Sequence, residues 1–396
     1  MDRAEDVRKI RRDHATPVCP IDRGEDGTWR IRGYEAARAV LRSTETVQAG
    51  LGIETVEKLP ARIRRPVLYR DGPQHREHRR QTARYFTPRR VDEHYRGLAD
   101  RVARRHLDTL RSEGEAWLED LTFGVSIDVA CEVIGLTHSR PGIQRRLERF
   151  FPEKFGRPGL TSWHGISWLL RQNSQWLRIY LADVRPAVRA HREQPADNLI
   201  SHLIAEGCSR AEILGECLTY AAAGMVTTRE FISVAAWHLF TDEALRERYL
   251  AGSESERLAV VHELLRLEPA VARLKRRTTG AVEIPGADGP VTVPGDALVE
   301  IFVDEANTDP DAMGDDPTTA CPGRSATTGR YAAALSFGDG PHRCPGGDIA
   351  LMETNVFLGH LFALDGIRML TPPRVTFQDE IGGYVLRGLR VAVDRR

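Results

Sequence analysis

A single cysteine follows a glycine-rich loop near the carboxyl end of the chain. Residues 336–347 read SFGDGPHRCPGG, and an apolar segment with helical periodicity, DIALMETNVFLGHLFAL, comes directly after them. Cys344 therefore lies just before a helix start, where the helix dipole and unpaired backbone amides favour a thiolate. The flanking glycines let the backbone approach a bulky planar partner without a clash at Cβ. These residue types indicate a sulfur that reacts or binds a metal ion.

Spacing separates the chemistries that are open to this loop. A dinucleotide fingerprint G-x-G-x-x-G that begins at Gly338 fails, because its sixth position is Arg343. The G-K-[ST] of a Walker loop is absent, and no arginine follows Cys344 at the spacing of a cysteine phosphatase. A nucleophilic cysteine with His342 as its base stays open, and so does an inert structural cysteine. Ligation of haem iron by one thiolate in an amide-rich loop fits the pattern better.

Bulk composition disfavours several classes of protein. Hydrophobic residues make up 41% of the 396 positions, and 56 basic residues balance 56 acidic ones. A formal net charge of zero argues against nucleic acid or an anionic membrane as the main partner. Six cysteines without a C-x-x-C pair disfavour structural zinc and a disulfide framework. The amino terminus lacks a signal-peptide core and the longest apolar run, 217–228, is too short for a bilayer, so we expect a cytoplasmic protein.

Helical periodicity dominates the chain. Apolar residues at helical spacing predict helices at 99–114, 210–241 and 254–269. The second of these has about nine turns and is expected to cross the middle of a large domain. Strand patterns with Gly/Pro turns occur at 282–303 and 382–393, the latter as a terminal hairpin or strand, and 28–43 reads as a strand and then a helix. Without a repeat, linker or break in composition, the sequence predicts one mainly α domain, residues 1–396, with a small β portion.

The complete loop string resembles the haem-binding signature F-G-x-G-x-H-x-C-x-G of the cytochrome P450 family. The matching residues are Phe337, Gly338, Gly340, His342, Cys344 and Gly346. The resemblance covers essentially the whole chain and is closest to soluble bacterial members of secondary metabolism, of actinobacterial type. It implies the P450 fold, with small β-sheets and with haem b (iron protoporphyrin IX) buried between the long central helix and the cysteine loop. Cys344 is then the iron ligand, and the other matching residues are expected to line the haem.

The resemblance also implies a clamp for the haem propionates. The string DGPQHREHRRQTARYFTP, at 71–88, resembles the family's D-P-P-x-H-x-x-x-R-R…F-T-P. His75 and Arg79 lie four residues apart in it, on one helical face, where charge-assisted hydrogen bonds to a carboxylate are strong. The strand arginine of the family falls on Arg276, with Arg277 as the alternative register. Together with His342, this arginine is expected to complete the clamp.

A second motif implies a buried ion triad. HELLRLEP supplies the family's E-x-x-R as Glu263 and Arg266, which one helical face brings together. Such pairs are mostly solvated surface contacts when they occur in isolation, but at this position the resemblance implies a structural role. The third member is then Arg324, at the end of ANTDPDAMGDDPTTACPGR. That segment departs from the family pattern at Thr308, Ala320 and Cys321.

The long helix carries AGMVTT where the family pattern is A-G-x-[DE]-T-T. By resemblance, Gly224 widens the helix for dioxygen and the hydroxyl of Thr227 organises water beside it. Val226 stands where the family has the acid that relays protons, and a valine has no proton to pass on. Two interpretations stay open. Water or substrate supplies the protons, or the enzyme runs a less usual oxidation that ends in C–C, C–N or C–O bond formation.

Substrate contacts are implied mostly on the central helix and on two later segments. The candidates are Ala222, Ala223, Trp176, Val271, Leu274 and Tyr384. Aromatic residues at helical spacing around Trp176 are more often core than pocket, so that alternative stays open.

The sequence therefore predicts a haem-thiolate oxidoreductase of secondary metabolism. It would hydroxylate or oxidatively couple a small natural product, with an aromatic cyclodipeptide or similar alkaloid among the candidates. Because no flavin domain fits this length, electrons are expected from a separate ferredoxin and ferredoxin reductase, docking near Arg343 and the arginines of 76–90. Dioxygen is the second substrate, and the chain is expected to be a monomer. The alternative is a haem-binding scaffold without turnover that recruits a carrier-bound substrate.

Overall fold

The computed structural model describes residue 8 and residues 19–56, 64–151, 163–324 and 332–394. The helices in these ranges are α1 (Tyr34–Arg42), α2 (Ile53–Val56), α3 (Gly72–Thr82), α4 (Pro88–Arg90), α5 (Arg96–Glu113), α6 (Leu118–Ile134), α7 (Ile143–Phe150), α8 (Trp163–Ile179), α9 (Arg185–Glu193), α10 (Leu199–Ala205), α11 (Arg210–Ala221), α12 (Thr227–Thr241), α13 (Glu243–Ala251), α14 (Glu254–Leu267), α15 (Val303–Ala306), α16 (Pro310–Met313) and α17 (Gly347–Phe362). Wider π-helical turns occur at Val91–Tyr95, Tyr180–Val184 and Ala222–Val226. None of the helices in these ranges is long and apolar enough to cross a membrane.

Four small sheets accompany the helices. The strands are β1 (Ile21–Arg23), β2 (Trp29–Ile31), β3 (Thr46–Ala49), β4 (Glu115–Trp117), β5 (Arg273–Thr278), β6 (Val282–Ile284), β7 (Val291–Val293), β8 (Leu298–Phe302), β9 (Arg368–Thr371), β10 (Arg374–Gln378), β11 (Gly383–Arg387) and β12 (Arg390–Ala392). The largest sheet has the order β1-β2-β8-β5-β3, antiparallel except between β2 and β8. The others are β4-β12-β9, β10-β11 and β6-β7.

The predicted helices form, with their ends set by local chemistry. Ser253 and Ser209 begin α14 and α11 with capping boxes, in which the serine and the Glu three residues later bond each other's backbone amides. Gly114 ends α5 with a φ of 81°, a left-handed conformation that glycine adopts without strain. The predicted long helix is α11 and α12 joined through the π-helical turn. The terminal segment is not a hairpin, because β11 pairs with β10 whereas β12 pairs with β4 and β9.

The central helix runs through the main apolar core. Nearly every residue of α12 from Phe231 to Leu239 is buried, and this stretch packs with α5, α6, α14 and α17 in one hydrophobic cluster. A second cluster surrounds α11, and a third fills the space between α1 and the five-stranded sheet. An α-helix that is apolar on all sides is expected only in the interior of a large domain. The observed placement therefore agrees with the sequence prediction for this helix.

A buried ion pair links α14 to the loops that follow it. Arg266 donates from Nε and Nη2 to the two carboxylate oxygens of Glu263, at 2.8 and 2.7 Å. Its Nη1 donates to the carbonyl oxygens of Asn307 and Pro317, both at 2.7 Å. Arg324 lies 3.5 Å from Glu263 through its Nε, so the structure brings the three predicted triad residues together. The arginine is thus satisfied by a carboxylate and by two loop carbonyls.

The same network reaches the cysteine loop. The side-chain amide of Asn307 donates to the carbonyl oxygen of Arg266 and to the hydroxyl of Ser336, at 3.0 and 2.8 Å. The backbone amide of Leu335 donates to Oδ1 of Asn307 at 2.8 Å. The hydroxyl of Ser336 donates in turn to the carbonyl oxygen of Leu265. Residues 335–336 are therefore held against α14 only a few residues before Cys344.

We expect Arg266→Met to destabilise the protein far more than Arg324→Met. The first change leaves the fully buried Glu263 carboxylate without its bidentate partner, for which about 3–5 kcal/mol is typical. Arg324 is partly exposed and lies farther from the carboxylate, so we expect about 1 kcal/mol or less. Urea unfolding followed by circular dichroism measures both differences. Equal losses in the two variants would contradict the ranking.

Candidate functional site

The loop before α17 is shaped by close backbone contacts. The backbone amide of Cys344 donates to the carbonyl oxygen of Phe337 at 2.8 Å, which closes the loop on itself. Gly338 and Gly340 have φ values of 68° and 66°, in the left-handed region. A Cβ on Gly340 would lie 2.3 Å from the carbonyl oxygen of Leu41, so this glycine is required by packing on α1. The sequence analysis assigned that glycine to the haem, and the structure gives it a different reason.

Some of the surroundings of the Cys344 sulfur disfavour its ionisation to a thiolate, and others favour it. Burial raises the pKa of the thiol, while the backbone amide of Gly346 and the positive charges of Arg79 and Arg343 lower it. The side chain nevertheless keeps partly accessible surface. A Cβ placed on Gly346 would meet no atom within 4 Å, so the space beside this glycine, two residues after the cysteine, is open. Coordination to a metal deprotonates such a thiol outright.

A compact set of basic and acidic side chains lies between α3, β5 and the cysteine loop. The rings of His75 and His342 are stacked with centroids 4.1 Å apart. Nε2 of His342 lies 2.7 Å from Oδ1 of Asp71. Arg79 donates to the carbonyl oxygen of Arg343 at 2.6 Å. The sequence analysis pointed His342 at a propionate, whereas the structure gives its Nε2 a carboxylate of the chain itself.

Arg276 supplies the strand contribution to this set. It is buried in β5, whereas Arg277 is exposed and pairs with Asp296, so the register that was open in the sequence falls on Arg276. Its guanidinium donates to Oε1 of Gln48 at 2.7 Å. Burial lowers the pKa of Arg276 to about 10, with Asp71 opposing the shift, so it stays charged at neutral pH.

The electrostatics of the set favour an anionic ligand. Burial, with the neighbouring His342 and Arg79, lowers the pKa of His75 to about 4. Nδ1 of His75 is buried and has no hydrogen-bond partner within the described ranges. Burial alone would raise the pKa of Asp71, but hydrogen bonds from His342 and from the backbone of Gln48 hold it below its usual value. A second carboxylate group would satisfy the unpaired imidazole nitrogen and balance the buried arginines.

The π-helical turn shapes one face of the central helix. Ala223 is exposed and Gly224, Val226 and Thr227 are half-buried, although Met225 between them is fully buried. The Thr227 hydroxyl donates to the carbonyl oxygen of Ala223 at 2.6 Å. A π-helical turn adds one residue to the helix and is common at functional sites. The accessible surface therefore coincides with the motif AGMVTT.

The predicted substrate contacts fall into two groups. Ala222, Val271 and Leu274 are half-buried, as pocket residues are expected to be. Trp176 is instead 37% exposed on α8, with its ring edge against Phe150 at a centroid distance of 5.2 Å. Tyr384 is 2% exposed and belongs to the main core. Both placements correct the sequence analysis, because one side chain faces outward and the other is enclosed by protein.

Several residues around the site had no role in the sequence analysis. They are Gln48, Asp71, Asn307, Ser336 and the pair Arg70–Glu216. Glu216, on α11, accepts hydrogen bonds from Nη2 of Arg70 at 2.7 Å and from the backbone of Val67 at 3.1 Å. Burial raises the pKa of Glu216, and Arg70 opposes the shift. Asp71, which precedes GPQH, and Asn307, in the string ANTDP, lie in family-like strings and so carried a sequence signal; the others acquire a role through packing.

These observations fit haem better than any other group. The open space beside Gly346 gives a planar ring room close to the cysteine loop. The unpaired nitrogen of His75 and the charges of Arg79 and Arg276 suit the propionates. When bound, a thiolate-ligated haem supplies the activation of dioxygen. The fold and this donor set together define a haem-thiolate oxygenase.

Comparisons with known proteins agree. The family model described as Cytochrome P450 matches residues 258–364. The chain is 29% identical over 368 residues to erythromycin C-12 hydroxylase of Saccharopolyspora erythraea, covering 88% of this chain and 84% of that enzyme. It is 29% identical over 353 residues to 20-oxo-5-O-mycaminosyltylactone 23-monooxygenase of Streptomyces fradiae, covering 86% and 78%. The crystal structure of CalO2 superposes with a TM-score of 0.77, at 21% identity over 95% of this chain and 93% of that one.

The chain belongs to the cytochrome P450 family. It has the P450 fold, is a monooxygenase of that family and uses haem b as its cofactor. Members of the family act on small molecules with dioxygen and electrons from a redox partner.

One further acid lies close to the cysteine loop, on α17. Glu353 is 3% exposed, and burial raises its pKa to about 8, with the hydroxyl of Ser126 opposing the shift. The folded state therefore keeps a proton that the unfolded chain releases above a pH of about 4.5. Stability must fall as the pH rises between these values, because the folded state binds more protons there.

We expect Glu353→Gln to remove most of this pH dependence. At about 1.4 kcal/mol for each pKa unit, the buried acid accounts for about 3–5 kcal/mol between pH 5 and 8. Urea unfolding at a series of pH values measures the slope. The exposed acid Glu247 provides the control, since Glu247→Gln should leave the slope as it is. An unchanged slope in Glu353→Gln would mean that this carboxyl is ionised in the folded protein.

Proposed function

We propose that this P450 hydroxylates a C–H bond of a macrocyclic or polycyclic natural product of secondary metabolism, with Cys344 as its iron ligand. The observation that carries the proposal is the position of Cys344. The sulfur lies just before α17, where the positive charges of Arg79 and Arg343 act on it, and the buried Nδ1 of His75 in the neighbouring basic set has no hydrogen-bond partner within the described residues. Phe337, Gly338 and Gly346 form the loop on which the haem would rest.

The basic set is proposed to hold the two propionates. Arg79, Arg276 and His75 would each contribute a donor. His342 and Asp71 would fix the orientation of the others, because the imidazole is stacked on His75 and hydrogen-bonded to the carboxylate. One negative charge of the chain already lies in this set, so the propionates need not neutralise all of its positive charge.

Proton handling on the central helix is proposed to rest on Thr227. Its hydroxyl donates to the carbonyl oxygen of Ala223, so the lone pairs of Oγ1 remain available to accept a proton-bearing water. Gly224 leaves room for dioxygen beside it. Val226 contributes no proton. The protons that pass through water held at Thr227 must therefore come from solvent or from a substrate hydroxyl.

Hydroxylation is favoured over bond coupling by the relatives. The two relatives reported above are named a hydroxylase of erythromycin biosynthesis and a monooxygenase of a mycaminosyltylactone. Their names support a macrocyclic polyketide as the substrate class, with Ala222, Ala223, Val271 and Leu274 as contacts. Val226 is the single observation that favours the second candidate, oxidative coupling of an aromatic cyclodipeptide, because it departs from the acid of the family pattern at this position. A non-catalytic scaffold that recruits a carrier-bound substrate is the third candidate, and product formation in the experiment below would exclude it.

The proposed redox partner follows from the charge of the surface beside the cysteine loop. A ferredoxin with its reductase suits a chain whose exposed arginines, among them Arg76 and Arg80, lie on α3 beside the cysteine loop. Charge complementarity of this kind speeds the encounter of proteins. We also propose a monomeric cytoplasmic enzyme that folds as one domain, residues 1–396.

We expect reduced, CO-bound wild-type protein to show the long-wavelength Soret band of thiolate-ligated haem. Cys344→Ser replaces the sulfur by oxygen and should lose that band while keeping the fold. Cys19→Ser changes an exposed cysteine and should keep the band. Absorption spectra of the three proteins measure this. A normal band in Cys344→Ser would overturn the ligand assignment.

We expect the hydroxylated product to contain one oxygen atom from labelled dioxygen. We also expect less product per electron when Thr227 is replaced. A panel of macrolactones and cyclodipeptides, screened by spin-state shift, supplies the substrate. Product mass after turnover in ¹⁸O₂ then separates hydroxylation, which adds the label, from coupling, which does not.

Thr227→Ala should lower the product formed per NADPH consumed by up to about a hundredfold, the low end of what a positioned proton-transfer group contributes. Thr219→Ala is the matched control, because the Thr219 hydroxyl makes the same bond to the carbonyl four residues back, at 2.9 Å to Gly215. Equal yields in both variants would remove Thr227 from the proton route.

A further inference from the structure

Three buried titratable side chains outside the haem site form one hydrogen-bonded chain. Glu268 has no exposed surface, and Tyr384 and His238 are 2% and 5% exposed. The Tyr384 hydroxyl donates to Oε2 of Glu268 at 2.5 Å. Nε2 of His238 lies 3.0 Å from Oε1 of the same carboxylate. Both carboxylate oxygens therefore have a partner in the core, which a buried charged group requires.

The chain joins three elements that are far apart in sequence. His238 belongs to α12, Glu268 ends α14, and Tyr384 lies in β11. His238 follows Thr227 by eleven residues, which is three helical turns and about 16 Å along the same face of α12. Glu268 thus connects the central helix to the hairpin formed by β10 and β11.

That hairpin is packed against the segment that follows Glu268. The backbone amides of Ala272 and Arg273 both donate to the carbonyl oxygen of Ile381, at 2.8 Å each. A Cβ on Gly383 would lie 2.3 Å from the carbonyl oxygen of Ala270, so no side chain fits between the two strands of backbone. Residues 270–273 and the hairpin turn therefore move as one piece.

Under the proposed function, this segment forms part of the wall of the substrate pocket, which is called the substrate wall below. Val271 lies within it and Leu274 directly follows it, and both are half-buried. Tyr384 on the hairpin side and Glu268 on the α14 side bond each other. The hairpin is also held to α12 by Glu230, which accepts from the backbone amide of Leu386 at 3.0 Å and from Arg387 at 2.9 Å. Because Glu268 also bonds His238, the substrate wall is linked to α12, the helix that carries Thr227.

We propose that Glu268 and Tyr384 are positioning residues that set the distance between the substrate wall and the central helix, and so determine selectivity for bulky substrates. The inference rests on the proposed function only in treating Val271 and Leu274 as substrate contacts. The hydrogen bond between Glu268 and Tyr384, called the clamp below, does not depend on it. Tyr384 acts through its hydrogen bond to Glu268 and not by touching the substrate. Loss of its hydroxyl removes a hydrogen-bond donor from a fully buried carboxylate, which the structure relieves by shifting the hairpin or admitting water.

The test compares two buried tyrosines in the holoenzyme. Tyr384→Phe removes the hydroxyl of the proposed clamp. Tyr249→Phe is the matched control, because the Tyr249 hydroxyl is equally buried in the same core cluster and bonds Asn355, at 2.8 Å to Oδ1, away from the wall. Glu268→Gln keeps the side-chain volume and an acceptor, and it serves if Tyr384→Phe does not fold.

The probes are imidazole and 4-phenylimidazole, whose binding is followed by the shift of the Soret band. Imidazole is too small to reach the wall, so its dissociation constant should change less than twofold in every variant. That of 4-phenylimidazole should rise about fivefold in Tyr384→Phe, and at least twofold in Glu268→Gln, with no change in Tyr249→Phe. A ratio of the two constants within twofold of wild type in both clamp variants, or the same rise in Tyr249→Phe, would overturn the proposal.

Hydrogen exchange separates this inference from the proposed function. Peptides that cover 269–274 and 379–384 should exchange at least tenfold faster in Tyr384→Phe than in wild type, while α17 stays unchanged. This readout does not depend on the iron ligand or on turnover. If wild type lacks the thiolate band but the exchange result holds, the clamp stands and the proposed function fails. If the band is present and the two peptides exchange as in wild type, the clamp fails alone.

Discussion

The burial of the Glu263–Arg266 ion pair constrains the arrangement of the whole carboxyl-terminal half. A carboxylate and a guanidinium taken out of water must exhaust their hydrogen-bonding capacity within the protein. The guanidinium does so by binding both oxygens of Glu263 and the carbonyls of Asn307 and Pro317. The loop after α15 is therefore drawn onto α14, and Asn307 carries the constraint onward to Ser336 and Leu335. The position of Cys344 therefore depends on Arg266, which lies 78 positions earlier in the chain.

The haem site combines this rigid support with a concentrated charge. Arg79 and Arg276 bring positive charge from a helix and a strand, and Asp71 brings the compensating carboxylate. Burial, with the neighbouring His342 and Arg79, lowers the pKa of His75, so its imidazole is neutral, and its buried Nδ1 has no hydrogen-bond partner within the described residues. The π-helical turn does the corresponding work on the central helix, because its extra residue exposes Ala223 and Thr227 on a helix that is otherwise buried.

Two further buried carboxylates tie substrate-side segments to the central helix. Glu216 holds Arg70 and the backbone of Val67 near the amino-terminal half of that helix. Glu268 holds Tyr384 and connects to His238 near its other end. Each acid has its oxygens satisfied by partners distant in sequence, so each works only when the elements are correctly placed. Buried polar groups of this kind favour one arrangement over others of equal apolar burial.

The sequence by itself determined the elements and the chemistry of the cysteine loop. Periodicity was sufficient for α5, α12 and α14, because the apolar faces that define them recur within a few residues. The resemblance of the string between Phe337 and Gly346 to the P450 signature was sufficient to predict a haem-thiolate protein, because those residues act within one loop.

Only the tertiary structure decided what depends on residues that are distant in the chain. Tyr384 and Trp176 had the right residue types for a pocket, yet one is enclosed in the core and the other faces outward. The partner of His342, the register at Arg276 and the pairing of β11 with β10 rather than β12 were likewise invisible to spacing. Burial and hydrogen bonding across hundreds of positions are properties of the packed chain, and no local pattern encodes which partner a buried polar group will meet.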